Sequence, residues 1–155
     1  MLSLSLQQVT SVTGIPEQTM RHWRSTLPPL KGLNGYHASF SATDALALLV
    51  IRHLVKVMGI SVASLQVSSG RIFELLRRST WSQLAGSLLT IDSTDGTVEL
   101  GASNELRVPE HPAVVVPMAS FAREIRNAWT DHDAFDVQME LLPAEHASLG
   151  EGASQ

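Results

Sequence analysis

Apolar positions in the first third of the chain recur at helical spacing, and glycine or proline interrupts them at short intervals. Leu4, Leu6, Val9 and Val12 predict a first helix, with Ser5 as N-cap and Gly14 as its stop. Pro16 opens a second helix over residues 16–24, where its missing N–H is harmless in the first turn. Met20 and Trp23 give that helix an inward face and leave Gln18, Thr19, Arg21, His22 and Arg24 for solvent or a ligand. Leu27-Pro28-Pro29 breaks it.

Lys31-Gly32-Leu33-Asn34-Gly35-Tyr36 then predicts a tight hairpin, because Asn-Gly tolerates positive φ, with residues 36–40 as the return strand. Ser41, followed three residues later by Asp44, signals the start of a third helix. Leu46, Leu49, Val50, His53, Leu54 and Val57 carry its wide apolar stripe to Met58, and Gly59 ends it. Ser61 is expected to cap a fourth helix with Val62, Leu65, Ile72, Phe73 and Leu76 inward, although Gly70 interrupts the pattern.

Past Thr80 the period changes. After a last helical turn at residues 81–85, two strands are expected over 87–92 and 97–100, around the turn Ser93-Thr94-Asp95-Gly96. A β-branched run predicts a strand at 113–116. A final helix follows from Pro117 or Met118 to about Trp129, with Phe121, Ile125 and Trp129 four apart on one face. Residues 143–155 are small and polar and are expected to be disordered.

Composition adds two constraints. The chain has 155 residues, 44% of them hydrophobic, enough for one core or a small domain with a modest second one. It has no cysteine, which excludes disulfides and thiolate chemistry. With no signal-peptide pattern and no apolar stretch long enough for a bilayer, the expectation is a cytoplasmic protein without a membrane partner.

Charge changes the picture more. The net charge of −4 conceals a split: through residue 79, eight cations face three acids for +5, and beyond it three cations face twelve acids for −9. Such asymmetry points to a polyanion-binding part joined to something else. The expected division is therefore a polyanion-binding unit over residues 1–79, an acidic region over 80–142, and the tail over 143–155.

Catalytic chemistry finds no support. No Gly-rich phosphate loop, Ser/His/Asp set or zinc-ligand spacing occurs, so no enzyme, metal or cofactor is expected. Asp131-His132-Asp133 with Asp136 reads as a solvated acidic helix end, since adjacent helical residues do not converge on one ion. His53, on an apolar face, reads as a core histidine, and Arg71, Arg77 and Arg78 as a solvated helix face.

Helix, turn, helix, Gly-Tyr wing, long helix, Gly-Ile-Ser and helix follow one another in this order. Val9 and Thr13-Gly14-Ile15, Thr19-Met20-Arg21-His22-Trp23, Asn34-Gly35-Tyr36-His37, Phe40-Ser41 with Asp44, and Met58-Gly59-Ile60-Ser61-Val62 with Leu65 keep matching register. This set, over residues 4–66, resembles a MerR-type winged helix-turn-helix. The resemblance implies a fold that is mainly α with small β elements, an N-terminal winged helix-turn-helix followed by a small α+β C-terminal region.

It also implies double-stranded DNA as partner. Arg21 and Trp23 would hold phosphates, Tyr36 would anchor the wing, and Gln18, Thr19 and His22 would face base edges. Arg24 would reinforce the backbone grip, and Lys31, Asn34 and His37 would lie on the wing. For Trp23 a place in the core is an equal expectation, and the two are compatible if only the indole N–H reaches out. Where the family commonly carries arginine after the wing tyrosine, this chain has His37. No sustained heptad follows Gly70, so the family's dimerising coiled coil is not expected.

A homodimer nevertheless suits a short reading helix, and the acidic region would dimerise, bind a protein partner or sense a small-molecule effector. The expected function is a sequence-specific transcriptional regulator of bacterial or phage type. An excisionase-like architectural or phage DNA-packaging factor, and a protein-interaction module with a degenerate winged helix, are the alternatives.

Overall fold

A computed structural model describes residues 3–33, 38–105 and 107–130. Helix α1 (Leu6–Thr13) begins with a capping box, in which Ser5 Oγ accepts from Gln8 N and Ser5 N donates to Gln8 Oε1. Gly14 ends it at φ 66°, in the left-handed region. Helix α2 (Glu17–Thr26) follows after Pro16, and a short 3₁₀ turn over Pro28–Leu30 takes the place of a plain break.

Phe40, the end of the expected return strand, exchanges backbone hydrogen bonds of 2.7 and 2.9 Å with Leu4. This ties the wing's far end to the start of α1. The wing tip, residues 34–37, lies outside the described residues.

Helix α3 (Ala42–Lys56) is the central element. Every residue from Thr43 to Ile51 is buried, so the expected amphipathic stripe is in fact a helix covered on nearly all sides. Helices α1, α4 (Gln66–Arg77) and α6 (Met118–Thr130) pack around it. Gly70 leaves α4 continuous, and Ser61, rather than capping α4, accepts from Ser64 N at 3.2 Å beside the 3₁₀ turn Ala63–Leu65 that leads into it.

Helix α5 (Trp81–Ala85) starts, like α1 and α3 (Ser41 with Asp44), with a capping box, Thr80 with Gln83. It leads into an antiparallel sheet of order β2-β1-β3, formed by β1 (Ser87–Asp92), β2 (Val98–Ala102) and β3 (Ala113–Pro117). Leu89 stands opposite Leu100 and Val116, and Ile91 opposite Val98 and Val114, which sets the inner face. Met118, Ala122, Ile125 and Trp129 bring the buried face of α6 onto β1, α5, α3 and α1. On α3, His53 is half-buried and meets the half-buried Phe121 ring edge-on at 5.2 Å, at the margin of the core rather than within it.

One buried apolar cluster runs from Leu4 to Trp129. The sheet and α6 therefore complete the core of the N-terminal helices, across the boundary expected near residue 79. The acidic stretch from Asp131 and the tail over 143–155 lie outside the described residues.

Candidate nucleic-acid interface

Met20, Trp23 and Leu27 are 0–1% exposed and anchor one side of α2 and its C-cap in the core. At 100° per residue, Gln18, Arg21, His22 and Ser25 fall on the opposite side as one stripe, and all four are exposed. Thr19 lies half-buried on one flank of that stripe and Arg24 half-buried on the other. Ser25 and Thr26 hydroxyls donate to the His22 carbonyl at 2.7 and 3.0 Å, and Gln66 Nε2 donates to the Thr26 carbonyl at 3.3 Å. The far end of α2 is thereby pinned to α4.

The candidate residues separate by role. Arg21 Nη2 is 3.5 Å from Glu17 Oε1, with both side chains more than 70% exposed. A pair that long and that wet contributes little, so the guanidinium remains available to an anion. Arg24 is committed elsewhere: its Nη2 donates to the Leu33 carbonyl, binding α2 to the segment that follows the 3₁₀ turn. Lys31 is exposed in that segment.

Trp23, at 1% exposure, supports α2 from beneath and presents no ring face to a ligand. Of its two expected roles, packing is the one the geometry displays. Asn34, Tyr36 and His37 fall outside the described residues, so the structure brings together Gln18, Thr19, Arg21, His22, Arg24 and Lys31 only.

The positive charge of the first part is also narrower than its count. Arg71 and Arg78 both pair with Glu74, at 3.0 and 2.8 Å, and Arg77 pairs with Asp44 at 2.8 Å. The expectation of a solvated face therefore becomes a set of ion pairs on α4. Arg52, in contrast, is exposed on α3, and its guanidinium lies across the turn between α1 and α2: a Cβ placed on Gly14 would be 3.8 Å from its Cζ. No spacing rule joins residues so far apart in sequence, and nothing in the pattern singles Arg52 out.

Residues 4–68 match the family model described as MerR HTH family regulatory protein. The N-terminal segment is similar to a MerR-type helix-turn-helix. Comparison with curated proteins and with solved structures returned no match. The matched residues run from α1 through α2 and α3 to the first residues of α4, so the sheet and α6 lie beyond them. Among the described residues no three His, Asp or Glu side chains are arranged to hold a metal ion, and no described helix is long and apolar enough to cross a membrane.

Proposed function

We propose that this protein is a sequence-specific double-stranded DNA-binding regulator of transcription, of bacterial or phage type, acting in the cytoplasm. The observation that carries this reading is the outward stripe of α2. Gln18, Arg21, His22 and Ser25 project together from a helix held by Met20 and Trp23, within a MerR-type segment.

A helix of ten residues fits the major groove, where Gln18 and His22 would meet base edges and Thr19 a thymine methyl. Arg21, on the same stripe, meets a flanking phosphate, and Lys31 with the wing residues Asn34, Tyr36 and His37 lies against the adjacent backbone. Arg24 acts indirectly, by holding the wing at its angle to α2. Trp23 acts through packing. Two copies on a symmetric site supply the specificity that one short helix lacks, and the acidic region after residue 79 faces away from the duplex.

The test is fluorescence anisotropy with random and genomic duplexes across a salt series. Arg21→Ala is expected to weaken binding to every duplex and to flatten the salt slope by about one unit. Gln18→Ala is expected to relax preference at one base position, at a cost of about 1–3 kcal/mol. Absence of binding by the unsubstituted protein to any duplex at low salt would overturn the reading.

A further inference from the structure

We propose that Arg52 of α3 is a DNA-backbone contact, placed at the lip of the groove by its seat on Gly14. The inference rests on the DNA-binding reading above and adds to it a residue outside the reading helix and the wing. Three observations carry it.

First, position. In a helix-turn-helix the N-terminal residues of the second helix meet base edges while the first helix crosses the backbone, so the turn joining them lies beside phosphates. Gly14 is in that turn. Cζ and both terminal nitrogens of Arg52 lie 3.8–4.0 Å from the point where a Gly14 Cβ would stand. The guanidinium thus lies against a bare stretch of backbone two residues before Pro16, where α2 begins.

Second, charge. Arg52 has no acidic partner among the described residues, whereas Arg71, Arg77 and Arg78 on α4 are each held by a carboxylate. The sheet and α6 bring no acid to Arg52 either among the described pairs. Its nearest charged neighbour on the exposed side of α3 is Lys56, one turn on, and two cations at that spacing repel one another. Lys56 sits in the last turn of α3, where the helix dipole favours a cation; Arg52 precedes that turn and gains little from it. An anion supplied from outside the chain accounts for the arrangement.

Third, shape. A guanidinium seated on a glycine gives up less freedom on binding than a fully solvated arginine, and its planar fork presents two N–H groups to phosphate oxygens. The contact carries no base information and should appear equally with every sequence.

The test is anisotropy with a fluorescein-labelled random-sequence duplex across a salt series, on the full chain, alongside thermal unfolding. Arg52→Gln keeps much of the side chain over Gly14 and removes the charge. It is expected to weaken binding several-fold at low salt and to make the slope of log K against log salt shallower by about 0.9, with an unchanged melting temperature. Arg52→Lys is expected to keep the parent slope. A parent-like slope and affinity for Arg52→Gln would overturn the inference, as would a lowered melting temperature with an unchanged slope, which marks a packing role. Loss of slope in Arg21→Ala but not in Arg52→Gln leaves the functional reading intact and refutes this one; failure of the unsubstituted protein to bind refutes both.

Discussion

Arg77, at the end of α4, reaches Asp44, at the start of α3, with Nε and Nη2 each 2.8 Å from the same oxygen, Oδ1. The other oxygen, Oδ2, accepts from Ser41 N at 3.0 Å, so one carboxylate both caps the central helix and ties it to its neighbour. The guanidinium also covers the Phe73 ring at 5.6 Å. Asp44 is 6% exposed at the side chain and Arg77 47%, an unequal pair in which the buried partner depends on the other.

From this asymmetry Arg77→Ala is expected to cost about 1–3 kcal/mol, because it strands a buried carboxylate. Asp44→Ala loses the cap as well and falls in the same range or above it, since a cap alone is worth about 1 kcal/mol. A double-mutant cycle in urea measures the pair directly, and a coupling indistinguishable from zero would refute the dependence.

Among the described residues three glycines adopt positive φ, and their surroundings rank the cost of adding a methyl group. Gly14 (φ 66°) and Gly59 (φ 72°) have no crowding beyond ordinary contact, so Gly→Ala at either should cost about 1–2 kcal/mol from backbone strain alone. Gly96 (φ 75°) adds a steric term, since its Cβ would stand 3.1 Å from Ser68 Oγ, which donates to the Gly96 carbonyl. Gly96→Ala should therefore be the worst of the three. Equal melting temperatures for all three variants would show that the hairpin turn yields freely.

Acid should loosen that same turn. Asp92 is held below its ordinary value of 3.8, first by the Thr94 N–H at 2.6 Å and further by Asp95 N–H and His111. Asp95 is lowered too, by its hydrogen bonds with Thr97. A carboxyl whose folded pKa lies below its unfolded one stabilises the fold above about pH 3.8, and that contribution disappears as pH falls through the folded value. Urea midpoints across pH should drop in this window, and Asp92→Asn should flatten that limb. An unchanged limb in Asp92→Asn would remove the turn from the acid response.

These pairings explain which parts of the molecule were legible in the amino-acid order. The capping boxes at Ser5, Ser41 and Thr80 lie within four residues and mark helix starts without help from the rest of the chain. The Asp95-Gly96 turn and the spacing of Phe121, Ile125 and Trp129 are local in the same way, and the sheet and α6 form where they predict. Periodicity, however, reports which side of a helix is apolar and not what will meet it. Ser68 and Ser69 are polar side chains on α4, yet both are buried, one against the β1–β2 turn and the other satisfied by the Gln66 carbonyl.

The interface divides along the same line. The outward stripe of α2 follows from helical geometry and the burial of Met20 and Trp23. The commitment of Arg24 to Leu33 and the seat of Arg52 on Gly14 depend on how separate elements dock, which no spacing within one element encodes.

The last prediction concerns the helix that closes the core. Ile125 and Trp129 are 0% and 1% exposed, and α6 packs on both α1 and α3. Residues Ala45–Ile51 of α3 are at most 2% exposed only because α6 covers part of them along with α1 and α4. A chain cut after residue 79 would return that apolar surface to water, at about 25 cal/mol per Å². The fragment 1–79 is therefore expected to lose cooperative unfolding and to bind a hydrophobic dye. Trp129→Ala should reproduce part of the loss, at about 3–5 kcal/mol. A fragment 1–79 that unfolds cooperatively, with a melting temperature near that of the whole protein, would show that the MerR-type segment stands alone and that α6 merely rests on it.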